Sequence, residues 1–324
     1  MQPRTPNTFI IGAPKCGTSA MAAYLNQHPG VFLCNPKEPF FWSADYPMLQ
    51  KLHNITNEQR YLKLFAGARE EHSVICEGST NYLASQVAVE RILKFNPDAK
   101  FIVMLRNPVD VVHAFHSECL FSYIEDEPDF EAAWNKQNTR LCGQSLPKDC
   151  IAPQFLQYCD VASYAPQLER FFDFVPAENR KVLIFDDFAA DNAGAFQSTL
   201  EFLGLPALDK DTFERVNASH DHKYPLFSKL ILAPPAPLKP LVETLRFTAR
   251  QFKGGWVDQA KQWFRKPTQR AALRPEFRNE LCEFFADDVE NTSKLLGRDL
   301  NHWVNVSPQE EAPDPPALKF VEIH

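Results

Sequence analysis

The sequence predicts an α/β protein, a single domain with a central, mostly parallel β-sheet flanked by helices. Three observations predict it. An apolar run, Phe9-Ile10-Ile11, breaks at Gly12 into a short loop and then into good helix formers, Ser19 to Leu25. A second apolar run, Lys100–Leu105, ends in Arg106-Asn107-Pro108 before another helical stretch. Units of this kind are spread from Phe9 to about Phe188 with no internal repeat and no Gly/Ser linker, which favours one doubly wound sheet over two domains. A chain of 324 residues, 44% hydrophobic and 12% aromatic, is long and apolar enough to bury a large core. The expected domain covers residues 1–304, and the segment 305–324, rich in proline and acid, is expected to be a tail. Ala233–Pro240 reads as a proline-rich loop or lid within the domain.

The first loop carries the chemistry. In Thr8–Ser19, TFIIGAPKCGTS, a strand, a glycine loop and a helix N-terminus follow in that order. Gly12 and Gly17 permit close backbone approach, so the amides of Lys15, Cys16, Gly17, Thr18, Ser19 and Ala20 can point at one anion, aided by the positive end of the helix dipole. Lys15 adds a full charge, and the hydroxyls of Thr18 and Ser19 add donors. The reading is a phosphate cradle of P-loop type, set against a plain strand-to-helix turn with an incidental lysine. The nucleoside-triphosphate pattern G-x-x-x-x-G-K-[ST] is not met, because the lysine precedes the second glycine. The dinucleotide pattern G-x-G-x-x-G is absent as well, since Ala13 and Pro14 follow Gly12.

Arg106 stands at a strand's carboxyl end, where open α/β sheets bind ligands, and its fixed fork of donors suits a phosphate. Pro108 suits the first turn of the helix that follows. The plainer alternative is an ion pair between Arg106 and Asp110 at the start of that helix.

GAPKCGTS, then His28-Pro29-Gly30-Val31 and Lys37-Glu38-Pro39-Phe40-Phe41-Trp42, and then Arg106-Asn107-Pro108 together resemble the sulfotransferases that use 3′-phosphoadenosine 5′-phosphosulfate (PAPS), a bacterial type related to the heparan sulfate and carbohydrate enzymes. Glu77-Gly78-Ser79-Thr80-Asn81-Tyr82 resembles the loop these enzymes place near the acceptor. Ser163–Phe171, the strand Lys181–Phe185 with Asp186-Asp187-Phe188, and the helix Phe196–Leu203, stopped by Gly204, extend the likeness into the second half. The resemblance implies PAPS as donor, with the first loop on the 5′-phosphosulfate and Arg106 on the 3′-phosphate. It implies transfer of a sulfuryl group to a hydroxyl or amine of a carbohydrate or small molecule, with no metal. The sequence departs from the family at Ala114, where many members carry a serine donating to the same phosphate. Ser117, one helical turn on, is the candidate substitute, with an ordinary helix residue as the alternative.

The heparan sulfate branch places a glutamate base three residues before paired aromatics, and Glu38 before Phe41-Trp42 stands at the corresponding place. Neighbouring aromatics desolvate a carboxylate, which suits a base. A surface pair with Lys37, or a link to Lys15, is the alternative, and His116 is the rival base. Phe40, Phe41, Trp42 and Tyr46 are expected to offer rings to the acceptor, and Phe121–Cys150 to help shape its pocket. Two other functions stay open: a P-loop nucleotide kinase, against which the missing G-K-[ST] speaks, and a non-catalytic nucleotide-binding protein, against which Lys15 and Glu38 together speak.

The balance of 34 basic and 41 acidic residues, net −7, recommends neither nucleic acid nor an anionic membrane as partner. Lys253, Lys261, Arg265, Lys266 and Arg270, read as spaced along a helix, are the candidate basic surface, with a solvated face as the alternative. His220-Asp221-His222 lacks a third ligand, so no metal is expected. No stretch approaches the roughly 20 apolar residues of a membrane span and no signal segment precedes the first strand, so a cytoplasmic location is expected. The eight cysteines are expected reduced, with Cys142 and Cys150 the one pair able to close a loop under oxidising conditions. Near the end, Arg274-Pro275 opens a helix whose predicted apolar stripe is Phe277, Leu281, Phe284 and Val289, closed by Gly297.

Overall fold

The computed structural model describes residues 4–52, 54–148, 150–208, 220–222, 265–267 and 270–305. In chain order the elements are β1 (Thr8–Gly12), α1 (Thr18–Leu25), β2 (Val31–Leu33), α2 (Pro47–Leu52), α3 (Glu58–Lys63), β3 (Val74–Gly78), α4 (Ala88–Phe95), β4 (Lys100–Leu105), α5 (Pro108–Phe121), α6 (Phe130–Asn135), α7 (Gln137–Leu141), α8 (Tyr158–Ala162), α9 (Tyr164–Phe174), β5 (Arg180–Ile184), α10 (Phe185–Ala190), α11 (Asn192–Leu203), β6 (His220–His222), β7 (Arg265–Pro267) and α12 (Pro275–Leu296). Strands β1 to β5 form one sheet in the order β2-β3-β1-β4-β5, and all four pairings are parallel. A parallel sheet covered on both faces needs strands that are apolar on both sides, and β1 and β3 are buried at every position.

From β1 the chain goes out to the edge strand β2 and returns to β3 between the two, then crosses to β4 and β5 on the other side, so the order reverses at β1. Loops after the flanking strands diverge at such a point and leave a crevice at the carboxyl ends. The loops after β1, β3 and β4 all open there. Gly12 is required by close approach, since a β-carbon on it would lie 2.7 Å from Leu83 Cβ. That contact, with Leu83 N–H donating to the Ile11 carbonyl at 2.8 Å, clamps the post-β3 loop against the start of the first loop.

Helix α12 closes the crevice's outer side, lying against α9 and α5. Asp288 of α12 accepts from the amides of Tyr164 and Ala165 at 2.8 and 2.9 Å, capping α9 from another element, because the N-cap Ser163 makes no side-chain cap of its own. The stripe on α12 differs from the predicted one at a single residue. Phe277, Leu281, Phe285 and Val289 are buried, whereas Phe284 is 54% exposed and meets Trp134 edge-on. Spacing by four from Phe277 leads to residue 285, and Phe284 falls one helical position off the face. Gly297 ends the helix in the left-handed conformation, as expected. Arg265 and Lys266 lie on β7, which pairs antiparallel with β6, so the predicted helical spacing of the basic set does not hold there. Lys253, Lys261, Ala233–Pro240 and the tail beyond residue 305 lie outside the described residues.

Candidate active site

The first loop has the form an anion requires. Gly17, the N-cap of α1, has φ 90°, a conformation a side chain resists, and a β-carbon there would also meet the Phe185 ring at 3.1 Å. No side chain caps α1 and its first turn holds no acid. Among the described residues, the amides of Lys15, Cys16, Gly17, Thr18 and Ser19 donate to no backbone carbonyl, so they are free to converge on a ligand. This cradle fits the 5′-phosphosulfate of PAPS. The Cys16 thiol is fully buried and burial pushes its pKa up to about 12, which leaves only its backbone to face a ligand. Thr18 is buried and Ser19 half-buried, whereas the Ala20 amide, expected in the cradle, donates to the Gly17 carbonyl at 3.0 Å as the helix begins. Lys15 extends its ammonium to Glu118 of α5, 3.2 Å away, in a pair exposed enough for an incoming anion to compete with it.

The loops after β1 and β4 are tied together. The Ala13 amide donates to the Met104 carbonyl at 2.7 Å, and the Tyr164 hydroxyl donates to the Arg106 carbonyl at 2.9 Å while lying 3.8 Å from Cys16 Sγ. Asn107 caps α5 by accepting from Val109 N–H at 3.0 Å, with Pro108 in the first turn, as the sequence reading expects. Arg106 stacks over Phe185 at 4.7 Å and pairs with Asp110 at 3.4 Å, the plainer alternative named above. Asp110 is shared, however. Arg278 of α12 reaches it at 3.3 Å. Arg270 has its pKa lowered by desolvation and then by the like charge of Arg106. Three guanidiniums around one carboxylate leave a cationic excess that an anion can take up. The sequence reading missed Arg270 and Arg278 in this role, because nothing local links residue 106 to positions more than 160 further on.

Glu38 follows β2 with φ 65°. Its amide donates to the Gly78 carbonyl at 2.8 Å. Its carboxylate accepts from the Thr80 amide at 2.8 Å and from the Thr80 hydroxyl at 3.3 Å, and Lys37 pairs with it. A β-carbon on Gly78 would lie 3.4 Å from Lys37 Cε, so the lysine stem runs along that strand end. The pairing with Lys37 named as an alternative is therefore present, within a half-buried pocket shared with Thr80. Since the post-β3 loop also packs against Gly12, Thr80 joins Glu38 to the phosphate cradle.

Other expectations fare differently. His116 is buried, its Nε2 lies 2.8 Å from the Glu127 carbonyl, and its ring packs among Phe130 and Tyr158, so burial lowers its pKa. The Ser117 hydroxyl donates back to the His113 carbonyl at 3.3 Å, within its own helix. Phe41 and Trp42 are not an acceptor platform. Both are buried, Phe41 stacked on Tyr61 of α3 at 4.4 Å and Trp42 against Phe95 of α4 at 5.0 Å, so their rings are spent in packing against these helices. Phe40 is buried too, whereas Tyr46 is half-buried beside Phe155. Cys142 and Cys150 are free thiols. His220–His222 lies on β6. The segment expected to shape the acceptor pocket is pinned by a buried bidentate pair, Arg140 to Glu125 at 2.6 and 2.7 Å, with Tyr158 also donating to Glu125.

A family model described as a sulfotransferase domain matches residues 5–224. The chain belongs to the sulfotransferase family. Among related sulfotransferases, heparan sulfate glucosamine 3-O-sulfotransferase 5 of Mus musculus is 23% identical over 210 residues, which cover 62% of this chain and 54% of that protein. Bifunctional heparan sulfate N-deacetylase/N-sulfotransferase 2 of Homo sapiens is 22% identical over 209 residues, 62% of this chain and 22% of that protein. The chain thus spans about half the length of the first and about a fifth of the second. A sulfotransferase structure from Alicyclobacillus acidocaldarius superposes with TM-score 0.67 at 26% identity, covering 93% of this chain and all of that one. The sulfotransferase family takes its sulfuryl group from PAPS.

Proposed function

We propose that this protein transfers a sulfuryl group from PAPS to a hydroxyl of a carbohydrate or small molecule, with Glu38 as the base. The observation that carries the reading is the link through Thr80, which holds a partly exposed carboxylate beside an anion cradle. When bound, PAPS supplies an electrophilic sulfur attached to a phosphate leaving group. Lys15 and the amides of residues 15–19 hold the 5′-phosphate and offset the charge that grows on it, an electrostatic stabilisation set up before the reaction. Arg106, with Arg270 and Arg278, takes the 3′-phosphate and does the work that the hydroxyl absent at Ala114 does elsewhere in the family. Glu38 accepts the proton of the acceptor hydroxyl as its oxygen bonds to sulfur and the bond to the phosphate oxygen breaks. Thr80 and Lys37 keep the carboxylate oriented. His116 is the poorer candidate, because its Nε2 is taken up by the Glu127 carbonyl and its ring is buried among Phe130 and Tyr158.

No described helix is long and apolar enough to cross a membrane, and the eight cysteines are free thiols, as a reducing compartment such as the cytoplasm keeps them. The relatives' names make glucosamine-containing carbohydrates the first acceptors to try. Release of adenosine 3′,5′-bisphosphate from PAPS in the presence of such acceptors tests the reading. Glu38→Gln is expected to lower acceptor-dependent release by about 10²–10⁴-fold, the usual contribution of a general base, with bisphosphate affinity unchanged. Undiminished release moves the proton to another group.

A further inference from the structure

Behind Glu38 lies a second carboxyl that the transfer reaction does not use. Glu77, the fourth residue of β3, is fully buried. It accepts from the Tyr61 hydroxyl at 2.5 Å on Oε2 and from the Ser79 hydroxyl at 2.8 Å on Oε1, and the Tyr82 hydroxyl lies beside them. Each of these hydroxyls accepts in turn from the chain that follows Glu38. The Phe40 amide donates to Ser79 Oγ at 3.2 Å, the Trp42 amide to the Tyr82 hydroxyl at 3.2 Å, and the Trp42 indole N–H to the Tyr61 hydroxyl at 2.9 Å.

The network therefore has one direction, from segment N–H to hydroxyl to carboxylate. A hydroxyl has a single proton, so each can accept from the segment and still donate inward only if the group at the centre accepts and does not donate. With Tyr61 on one oxygen and Ser79 on the other, only an ionised carboxylate among side chains of this length accepts at both. The segment it holds needs support, because Glu38 and Phe40 both have positive φ, at 65° and 56°, where residues with a β-carbon stay only when their surroundings fix them.

We propose that Glu77 is a positioning residue whose buried carboxylate, acting through Ser79 and Tyr61, holds the segment Glu38–Trp42 in the backbone conformation that presents Glu38 to the acceptor. The role rests on the reading of Glu38 as the base. The titratable groups facing Glu77 are Tyr61 from α3, Tyr82 after β3, Cys76 beside it on β3, Cys34 just after β2, and Glu38 from the segment itself. Burial raises the Glu77 pKa to about 7, the three hydroxyl donors hold it from going higher, and the Glu38 charge adds a further upward push. Below that pH the carboxyl carries a proton of its own and one arm of the network must turn away.

Trp42 reports on the network directly. In the full chain with ¹⁵N-labelled indoles, the Trp42 N–H resonance, assigned by its loss in Trp42→Phe, is expected to shift with pH with a midpoint near 7. Glu77→Gln keeps the size and reverses the polarity of one arm. It is expected to abolish that midpoint and speed exchange of the Trp42 indole proton at least tenfold, while the affinity for adenosine 3′,5′-bisphosphate stays within twofold. Glu77→Asp, still acceptor-only, is expected to restore a titration. A Glu77→Gln protein with the wild-type midpoint and wild-type exchange overturns the proposal. If Glu77→Gln does not fold, Ser79→Ala removes a single arm, and unchanged exchange of the Phe40 amide in that variant overturns it equally. Turnover retained in Glu38→Gln sinks the reading of Glu38 as base while leaving the Trp42 result intact, so the two failures are distinguishable.

Discussion

Lys15 reaches a carboxylate, Glu118, that an incoming phosphate has to replace, and the exchange favours the ligand because it brings more charge and more acceptors than one carboxylate. Lys15→Ala removes one charge-assisted hydrogen bond, of roughly 1.5–3 kcal/mol, and is expected to weaken bisphosphate binding about 10–100-fold by calorimetry. Glu118→Gln removes the competing partner, and the same titration is expected to show binding unchanged or tighter. The first loop was legible from sequence because strand, glycine turn, lysine and helix start are contiguous, and so was Arg106 at its strand end. Glu118, Arg270 and Arg278 were not, because sheet topology and the packing of α12 bring them in from distant positions. The aromatic residues after Glu38 were misread for a related reason. Sequence shows that rings are adjacent to a carboxylate, but only packing shows that α3 and α4 claim them.

At the scale of elements, α12 and the segment that ends in α7 frame the crevice by two different means. α12 docks by an apolar stripe, so Phe285→Ala is expected to destabilise the fold by about 3–5 kcal/mol, whereas Phe284→Ala on the exposed side costs about 1 kcal/mol through its edge contact with Trp134. Denaturant midpoints of the two variants check the difference. The α5–α7 connection is held by an ion pair whose side chains are 1% and 0% exposed. Removing one partner leaves the other charged and unpaired in the interior, so Arg140→Met is expected to cost about 3–5 kcal/mol in the same measurement. The sequence predicted that this segment shapes the acceptor side. The Arg140–Glu125 pair was out of reach because 15 residues separate the partners with no periodic pattern between them.

For the whole molecule, one buried carboxyl makes stability depend on pH. Glu77 holds its proton to about 7 in the fold against 4.5 for an ordinary glutamate, so the folded state binds the extra proton between those values. The stability of the wild type relative to Glu77→Gln is therefore expected to fall as pH rises from about 4.5 to about 7 and to level off above that, as paired urea titrations can show. The sheet itself was foreseeable from its apolar strands, and its order follows from units that wind first one way and then the other from β1. That order puts the cradle at the centre of the crevice, which is why the account turns on what binds there. Calorimetric titration with adenosine 3′,5′-bisphosphate, run beside ATP and beside Lys15→Ala, tests it most directly. Micromolar binding of the bisphosphate, lost or strongly weakened in the variant and with little binding of ATP, is the predicted result. Preference for ATP, or bisphosphate binding that ignores Lys15, contradicts the account.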